Sequence, residues 1–377
     1  LVRARGTGGA ARQTISESRM TRMGELHEFY LGAFNFVGLK PASDSEKRPQ
    51  ALDMKSLKRL FIFRRRIYPL FYGPKPRKAS PMRLGMSGCF LPADMNDLTP
   101  AMCQRVRELG FSGIFTRFRA NDPHTTPKAQ AQRVRDLLSG EGVRLFQATG
   151  YWQNMITPDE MVRKESVRTV QAALRLAGWL GARGIDTGPG SMNPDGPWFP
   201  HPDNWTPSAR RQLVKTLKEC APAAEDAGVY LSLEAHQLVT LQTSEITKEV
   251  LDEVDSPWVR CDYDSANWIT LDTIYETGAA LDHHFDVLGD HIVSCHGKDT
   301  WIENRLTVHI EAGCPGKGLL DFKTLFRRME ALSPDYPVIS EGNRTEELPF
   351  VSRFFHDTAN ELGIRILDAD EEPESSN

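Results

Sequence analysis

The sequence predicts an α/β protein whose main body is a single (β/α)8 barrel. Two observations point there: eight alternations of a short apolar run with an amphipathic segment between residues 82 and 362, and four late runs that each end in a metal-capable side chain. A third is length, because 377 residues leave room for the ~250 that one such barrel needs. Short apolar strands that need covering on both faces read as parallel strands with helices outside.

The alternation opens with a strand over Met82 to Gly88 and a helix over Leu98 to Leu109, which Gly110 stops. Strand Gly113 to Phe118, helix Lys128 to Ser139 and strand Val143 to Ala148 follow. A long helix is expected over Pro158 to Leu180, capped by Thr157 with Pro at its first position. Strand Gly184 to Thr187 and helix Ser208 to Ala227, closed by Gly228, complete the first half. The second half alternates Tyr230–Glu234, Ser244–Val254, Val259–Tyr263, Leu271–Leu288, Ile292–His296, Phe322–Leu332, Val338–Glu341 and Glu346–Leu362. An open doubly wound sheet is the competing architecture. The first βα loop carries no G-x-G-x-x-G, which weakens it.

Flanking segments read differently. Residues 1–80 hold 17 Lys+Arg against 6 Asp+Glu, a charge of +11, which leaves −15 for the rest of a chain whose total is −4. Gly-, Ser- and Pro-rich pieces make these residues a basic, poorly structured extension and linker, with a short basic amphipathic stretch at Leu57 to Tyr72 as the sharper alternative. The barrel is expected over 81–365 and an acidic, disordered tail over 366–377. An acidic body argues against a nucleic-acid partner. No run reaches the ~18 apolar residues of a membrane span. Six widely spaced cysteines without a C-x-x-C pair suggest reduced structural thiols in a cytoplasmic compartment.

The chemistry lies at the ends of the last four strands. Parallel strands bring their carboxyl ends to one side, so Glu234, Asp264, His296 and Glu341 are expected to converge. Three carboxylates and one imidazole suit Mn²⁺ or Mg²⁺ and tolerate Co²⁺, Zn²⁺ or Fe²⁺. Ionised carboxylates packed so closely repel or protonate unless a cation sits between them. His236, two residues beyond Glu234, faces the same side of an extended chain, either as a general base or as a packing histidine. Lys298 and Asp299 either bind a substrate hydroxyl or carboxylate or pair with each other. His309, after strand seven, either reaches the rim or is an ordinary loop residue. Gly313, Gly316 and Gly318 make turns or a nest for a phosphate. Trp152, Trp198, Trp205 and Trp268 fall in expected rim loops, stacking on a sugar or packing.

Ser232-Leu-Glu-Ala-His236, Cys261-Asp-Tyr-Asp-Ser-Ala-Asn267, Ser294-Cys-His-Gly-Lys-Asp299, the run from Ala312 to Phe322 and Ile339-Ser-Glu-Gly342 resemble the xylose isomerase-like TIM barrel superfamily over residues 82–365. That superfamily includes sugar and sugar-phosphate isomerases and epimerases, inosose dehydratases and apurinic endonucleases. The resemblance implies that Glu234, Asp264, His296 and Glu341 hold the metal, Mn²⁺ first, and that Glu234 and Glu341 move the proton through an enediolate. Asn267 stands where many members carry a histidine, which departs from the epimerase pattern, since Asn binds substrate or water but does not shuttle a proton.

The first functional expectation is therefore a divalent-metal-dependent isomerase or epimerase of a small sugar or keto-polyol. Glu234, Glu341 and His236 are its candidate catalytic residues, and Asn267, Lys298, His309 and Trp152 its candidate substrate contacts. A lyase that loses a β-substituent from a keto-sugar, keto-inositol or oxidised glycoside shares the first deprotonation. An apurinic endonuclease should present a basic groove and a larger histidine-rich metal cluster, and a non-catalytic sugar-binding barrel stands as the fourth reading. A homo-oligomer is expected from the resemblance.

Overall fold

The structure is a computed structural model and describes residues 81–149 and 151–373. The expected basic extension over 1–80 and the last four residues of the acidic tail lie outside the described residues. Eight parallel strands form the barrel: β1 (Arg83–Ser87), β2 (Gly113–Thr116), β3 (Arg144–Thr149), β4 (Gly184–Thr187), β5 (Tyr230–Glu234), β6 (Val259–Asp264), β7 (Ile292–Gly297) and β10 (Pro337–Ser340). Between β7 and β10 runs an antiparallel hairpin of β8 (Asp299–Ile302) and β9 (Ile310–Gly313). β1 pairs with β2 on one side and with β10 on the other, Leu84 opposite Val338, so the sheet closes and the open alternative is excluded.

Eight helices alternate with the barrel strands: α1 (Pro100–Glu108), α2 (Lys128–Gly140), α3 (Glu160–Leu180), α4 (Pro207–Ala227), α5 (Ser244–Val254), α6 (Thr277–Leu288), α7 (Phe322–Leu332) and α8 (Leu348–Leu362). Five of them, α1, α3, α4, α5 and α7, start after a side-chain oxygen that takes up free N–H groups of the first turn. Thr99 accepts from Met102 N–H in α1, and Thr206 from Ala209 N–H in α4. α3 departs from expectation. Its cap is Asp159, which accepts from both Met161 and Val162 N–H, while Thr157 accepts from Asp159 N–H one step earlier. α6 also starts later than its apolar pattern suggests, because Thr270 and Thr273 close hydrogen-bonded turns before it. The β8–β9 hairpin forms where the sequence suggests a loop.

Apolar packing falls into two unequal parts. The large core lies between barrel and helices, where Leu231, Leu233, Val259, Cys261, Cys295 and Val338 are fully buried. Inside the barrel a small cluster of Phe115, Phe146 and Ile339 stands alone. The remaining inward positions are polar, among them Gln147, Asp186, Glu234, Asp262, Asp264, Ser294 and His296, all buried. The alternation of strand side chains, i and i+2 sharing a face, produces this split, except in β3, where a register shift against β2 turns the adjacent Phe146 and Gln147 both inward. All six cysteines are free thiols. No helix among the described residues is long and apolar enough to cross a membrane.

The acidic segment after Leu367, expected to be disordered, is tied to the barrel as far as it is described. Ile366 bridges Met82 in parallel, Arg83 donates to the Asp368 and Glu371 carbonyls at 2.8 and 2.6 Å, and Arg144 pairs with Glu372 at 2.6 Å. Fully buried Arg83 carries a charge there because Asp335 stands 2.9 Å away.

Gly113 leaves the space that the Phe146 ring fills: a Cβ there would lie 2.5 Å from the ring and 2.7 Å from the Arg144 carbonyl. Gly113→Ala should cost about 1–3 kcal/mol, as overpacking a filled core does. Urea unfolding measures it, and an unchanged midpoint would contradict the packing described.

Candidate metal centre

Glu234 is the last residue of β5, Asp264 the last of β6, His296 the fifth of β7, and Glu341 follows β10 directly. Barrel closure sets them side by side, and one donor atom from each lies within 4.8 Å of the others. Glu234, Asp264 and His296 are buried and Glu341 keeps a small opening to solvent. The convergence expected from the strand ends is thus present in the fold.

A second layer fixes the ligand atoms. His296 Nε2 lies 2.8 Å from Gln147 Oε1 and 3.1 Å from Asp262 Oδ2, and its ring stacks on Phe115. Gln147 directs its amide nitrogen to Asp262 and Ser294, and Ser294 donates to Asp262 at 2.6 Å. Both neighbours of Nε2 are acceptors, so Nε2 carries the proton and Nδ1 of the neutral ring offers a lone pair. That lone pair faces Glu341 Oε2 at 3.2 Å. Two acceptors so placed need a cation between them or a second proton on the ring. His296 Nδ1, Glu341 Oε2 and Asp264 Oδ2 are buried without an aligned hydrogen bond, which fits a divalent ion.

Asp264 uses Oδ1 to accept from Ala266 and Asn267 N–H and turns Oδ2 to the centre. Asn267 donates to Glu234 Oε1 at 2.8 Å and to the Ala235 carbonyl, so its amide nitrogen orients the glutamate. Lys298 Nζ sits 2.6 Å from Asp264 Oδ2 and 3.0 Å from Glu341 Oε2. It therefore pairs with two of the four donors and not with Asp299. Asp299 instead accepts from the N–H groups of Thr300, Gly316, Gly318 and Leu320, shaping the loop after β9.

Electrostatics divides the two glutamates. Burial, reinforced by Asp186, pushes Glu234 well above the usual carboxylate range. Burial also opposes ionisation of Glu341, but Lys298 and His296 outweigh it and hold that carboxyl well below the range. For Lys298 the burial penalty is likewise overcome by Asp264 and Glu341, so the ammonium stays charged.

The other expected contacts scatter. His236 accepts Leu238 N–H on Nδ1 at 3.1 Å, which leaves the proton of the neutral ring on Nε2 and makes it a donor. Burial lowers its pKa and keeps it neutral. His309 lies on the β8–β9 turn, half-exposed, and its ring makes no hydrogen bond or ion pair among the described residues. Trp152 packs edge-on against Trp198 at 5.2 Å, with the Arg117 guanidinium 4.9 Å from its ring. Trp268 is buried with its N–H on the Leu241 carbonyl, and Trp205 is half-exposed with its N–H on the Gln237 carbonyl.

Four residues of this region escaped the sequence reading: Arg117, Gln147, Asp186 and Asp262. Arg117 pairs with Glu341 Oε1 at 3.2 Å. Asp262 precedes Asp264 by two and hence shares its face, a signal present in Cys261-Asp-Tyr-Asp264. Asp186, inside β4, is fully buried with no partner on either carboxylate oxygen, and burial pushes its pKa up to about 7.

The chain matches the family described as Xylose isomerase-like TIM barrel over residues 103–360 and belongs to it. No curated protein matches the sequence. Among solved structures, D-psicose 3-epimerase from Clostridium cellulolyticum H10 with D-tagatose is 17% identical, with TM-score 0.58 over 75% of this chain and 100% of that one. The probable 3-DHS dehydratase AsbF of Bacillus anthracis is 15% identical, with TM-score 0.55 over 73% and 99%. A xylose isomerase-like TIM barrel protein from Mycobacterium smegmatis in complex with magnesium is 16% identical, with TM-score 0.56 over 75% and 97%. Likeness at these identities is likeness of fold.

Asp262→Asn should weaken divalent-metal binding about 10–100-fold, the usual effect of removing a ligand's hydrogen-bond partner. Titration calorimetry with Mn²⁺ measures this, and unaltered affinity would deny Asp262 its orienting role. Asp186 gives a pH test in metal-free protein. Its folded pKa lies above the unfolded value, so the folded state holds the extra proton and stability falls as pH rises from about 4 to about 7. Asp186→Asn should therefore raise Tm at pH 8 and leave it unchanged near pH 4.

Proposed function

We propose that the protein is a divalent-metal-dependent isomerase or epimerase of a small polyhydroxylated carbonyl compound. The observation that carries this reading is the set Glu234, Asp264, His296 and Glu341 in mutual reach, with a histidine lone pair and a carboxylate oxygen directed at one point. Mn²⁺ suits the oxygen-rich donors best, with Mg²⁺, Co²⁺ or Zn²⁺ as alternatives. A divalent ion held by these residues would act as a Lewis acid on the substrate's carbonyl group and so ease loss of the proton from the adjacent carbon.

The protein's own groups supply the proton transfers. Around the barrel β6 and β7 separate β5 from β10, so Glu234 and Glu341 approach a bound substrate from two sides. One carboxylate takes the proton from the carbon beside the carbonyl, and the other returns a proton to the opposite face or to the neighbouring carbon. Asn267 holds Glu234 in position, and Arg117 and Lys298 do so for Glu341. His236 Nε2–H is a hydrogen-bond donor for a substrate oxygen.

A lyase is the second reading, and Lys298 favours it. Its ammonium, charged and placed between Asp264 and Glu341, can donate a hydrogen bond to a departing β-oxygen and offset the negative charge that develops there. The two outcomes share the first deprotonation and differ in product, since an isomer keeps the substrate's formula and elimination releases water or an alcohol.

Purified protein should carry close to one equivalent of divalent metal by elemental analysis. Glu234→Gln and Glu341→Gln should each lower turnover by about 10²–10⁴-fold, the range for general acid–base groups. Incubation of keto-sugars in D₂O should place deuterium at the carbon beside the carbonyl. A protein that stays metal-free in excess Mn²⁺, Mg²⁺, Co²⁺ and Zn²⁺ would end both readings.

A further inference from the structure

Beside Glu341, a cavity of about 330 Å³ opens between the loops after β1 and β2. Two arginines line it, Arg117 and Arg119, together with the hydroxyls of Ser87 and Thr116, and Glu341 is the one acid on its wall. Arg117 pairs with Glu341 and lies over Phe115 at 5.2 Å and Trp152 at 4.9 Å, so its guanidinium plane is fixed. Arg119 is exposed and makes no ion pair among the described residues. The two acids on the loop after β1, Asp94 and Asp97, do not line the cavity, and Asp94 turns Oδ1 to Asn96 and Asn121 instead.

Charge counting gives the cavity its preference. Three carboxylates, from Glu234, Asp264 and Glu341, face a divalent ion and the three basic side chains Lys298, Arg117 and Arg119. With Asp262 and Asp186 ionised as well the centre as a whole is balanced, so the positive excess is local to the cavity, whose wall carries two guanidinium groups against the single carboxylate of Glu341. Glu341 is also shared among Arg117, Lys298 and the metal position, so no arginine here is fully neutralised. A neutral polyol would leave that excess unmatched in a cleft that concentrates field. Guanidinium groups bind carboxylates and phosphates through paired N–H donors.

We propose that this cavity is an anion subsite, in which Arg119 with Arg117 receives a carboxylate or phosphate group of the substrate while its carbonyl end lies at the metal centre. The substrate class is thus an acidic or phosphorylated keto-polyol. The inference rests on the metal-dependent reading above and narrows it.

Glycerol, glycerate and glycerol 3-phosphate form a matched set with no anionic group, a carboxylate and a phosphate. Their binding to Mn²⁺-loaded protein is read from the enhanced ¹H relaxation that protein-bound Mn²⁺ causes, in wild type, Arg119→Ala and Arg119→Lys. At least one anion should bind 10-fold or more tightly than glycerol, and the tighter of the two identifies the group. Arg119→Ala should lose about 10-fold of that affinity with Mn²⁺ affinity unchanged, and Arg119→Lys should recover part of it. Equal binding of all three probes would overturn the subsite. So would an anion advantage that survives in Arg119→Ala, since the anion would then be held without the arginine on which the subsite rests. Should the protein bind no Mn²⁺, the metal-dependent reading fails on that result. Saturation-transfer NMR with the same probes on metal-free protein then decides separately whether Arg119 holds an anion.

Discussion

Compensation of buried negative charge at the barrel mouth is the constraint to which the surrounding structure answers. Three carboxylates brought this close cannot remain ionised out of water without positive charge among them. Lys298 and Arg117 supply part of it, and the remainder is what makes the centre suited to a divalent ion. Arrangements further inside the barrel serve the same end. Gln147, Ser294 and Asp262 fix one tautomer of His296, and Asn267 fixes one oxygen of Glu234. The barrel interior is polar because these side chains must stand behind the ligands. Its apolar content accordingly shrinks to Phe115, Phe146 and Ile339, and stability falls to the shell between strands and helices.

Much of this was legible in the sequence. Eight apolar runs spaced by amphipathic segments specify eight strand and helix pairs, and a polar residue at the end of each late run marks the rim. Elements defined by local chemistry alone were placed less well. Asp159 outcompetes Thr157 as a cap because its carboxylate reaches two N–H groups at once. The β8–β9 hairpin depends on pairing between Thr300 and Ala312, partners that local propensity does not reveal. Asp186, Gln147 and Asp262 sit inside strands that read as apolar, and only closure of the sheet turns them toward one another.

Asp299 illustrates how one side chain organises a loop that the sequence left open. By sequence the glycines at 316 and 318 suit turns or a nest for a phosphate. Their N–H groups converge on an anion after all, and that anion is the Asp299 carboxylate. A Cβ at Gly318 would lie 2.4 Å from that carboxylate, so a side chain is excluded where the acid approaches. Lys298 and Asp299, adjacent in sequence, thus turn to different tasks, one beside the candidate metal ligands and one in the loop.

Pairing of Met82 with Ile366 and of β1 with β10 also bears on how the chain reaches this form. The two edges that seal the barrel lie more than 250 residues apart, so closure carries a large loop-closure entropy and follows the local βα contacts. During synthesis β1 has β2 on one side and an unpaired edge on the other until β10 emerges. The residues of the candidate metal centre share that delay, because Glu341 follows β10 directly, so the cluster is assembled by the same event that seals the sheet.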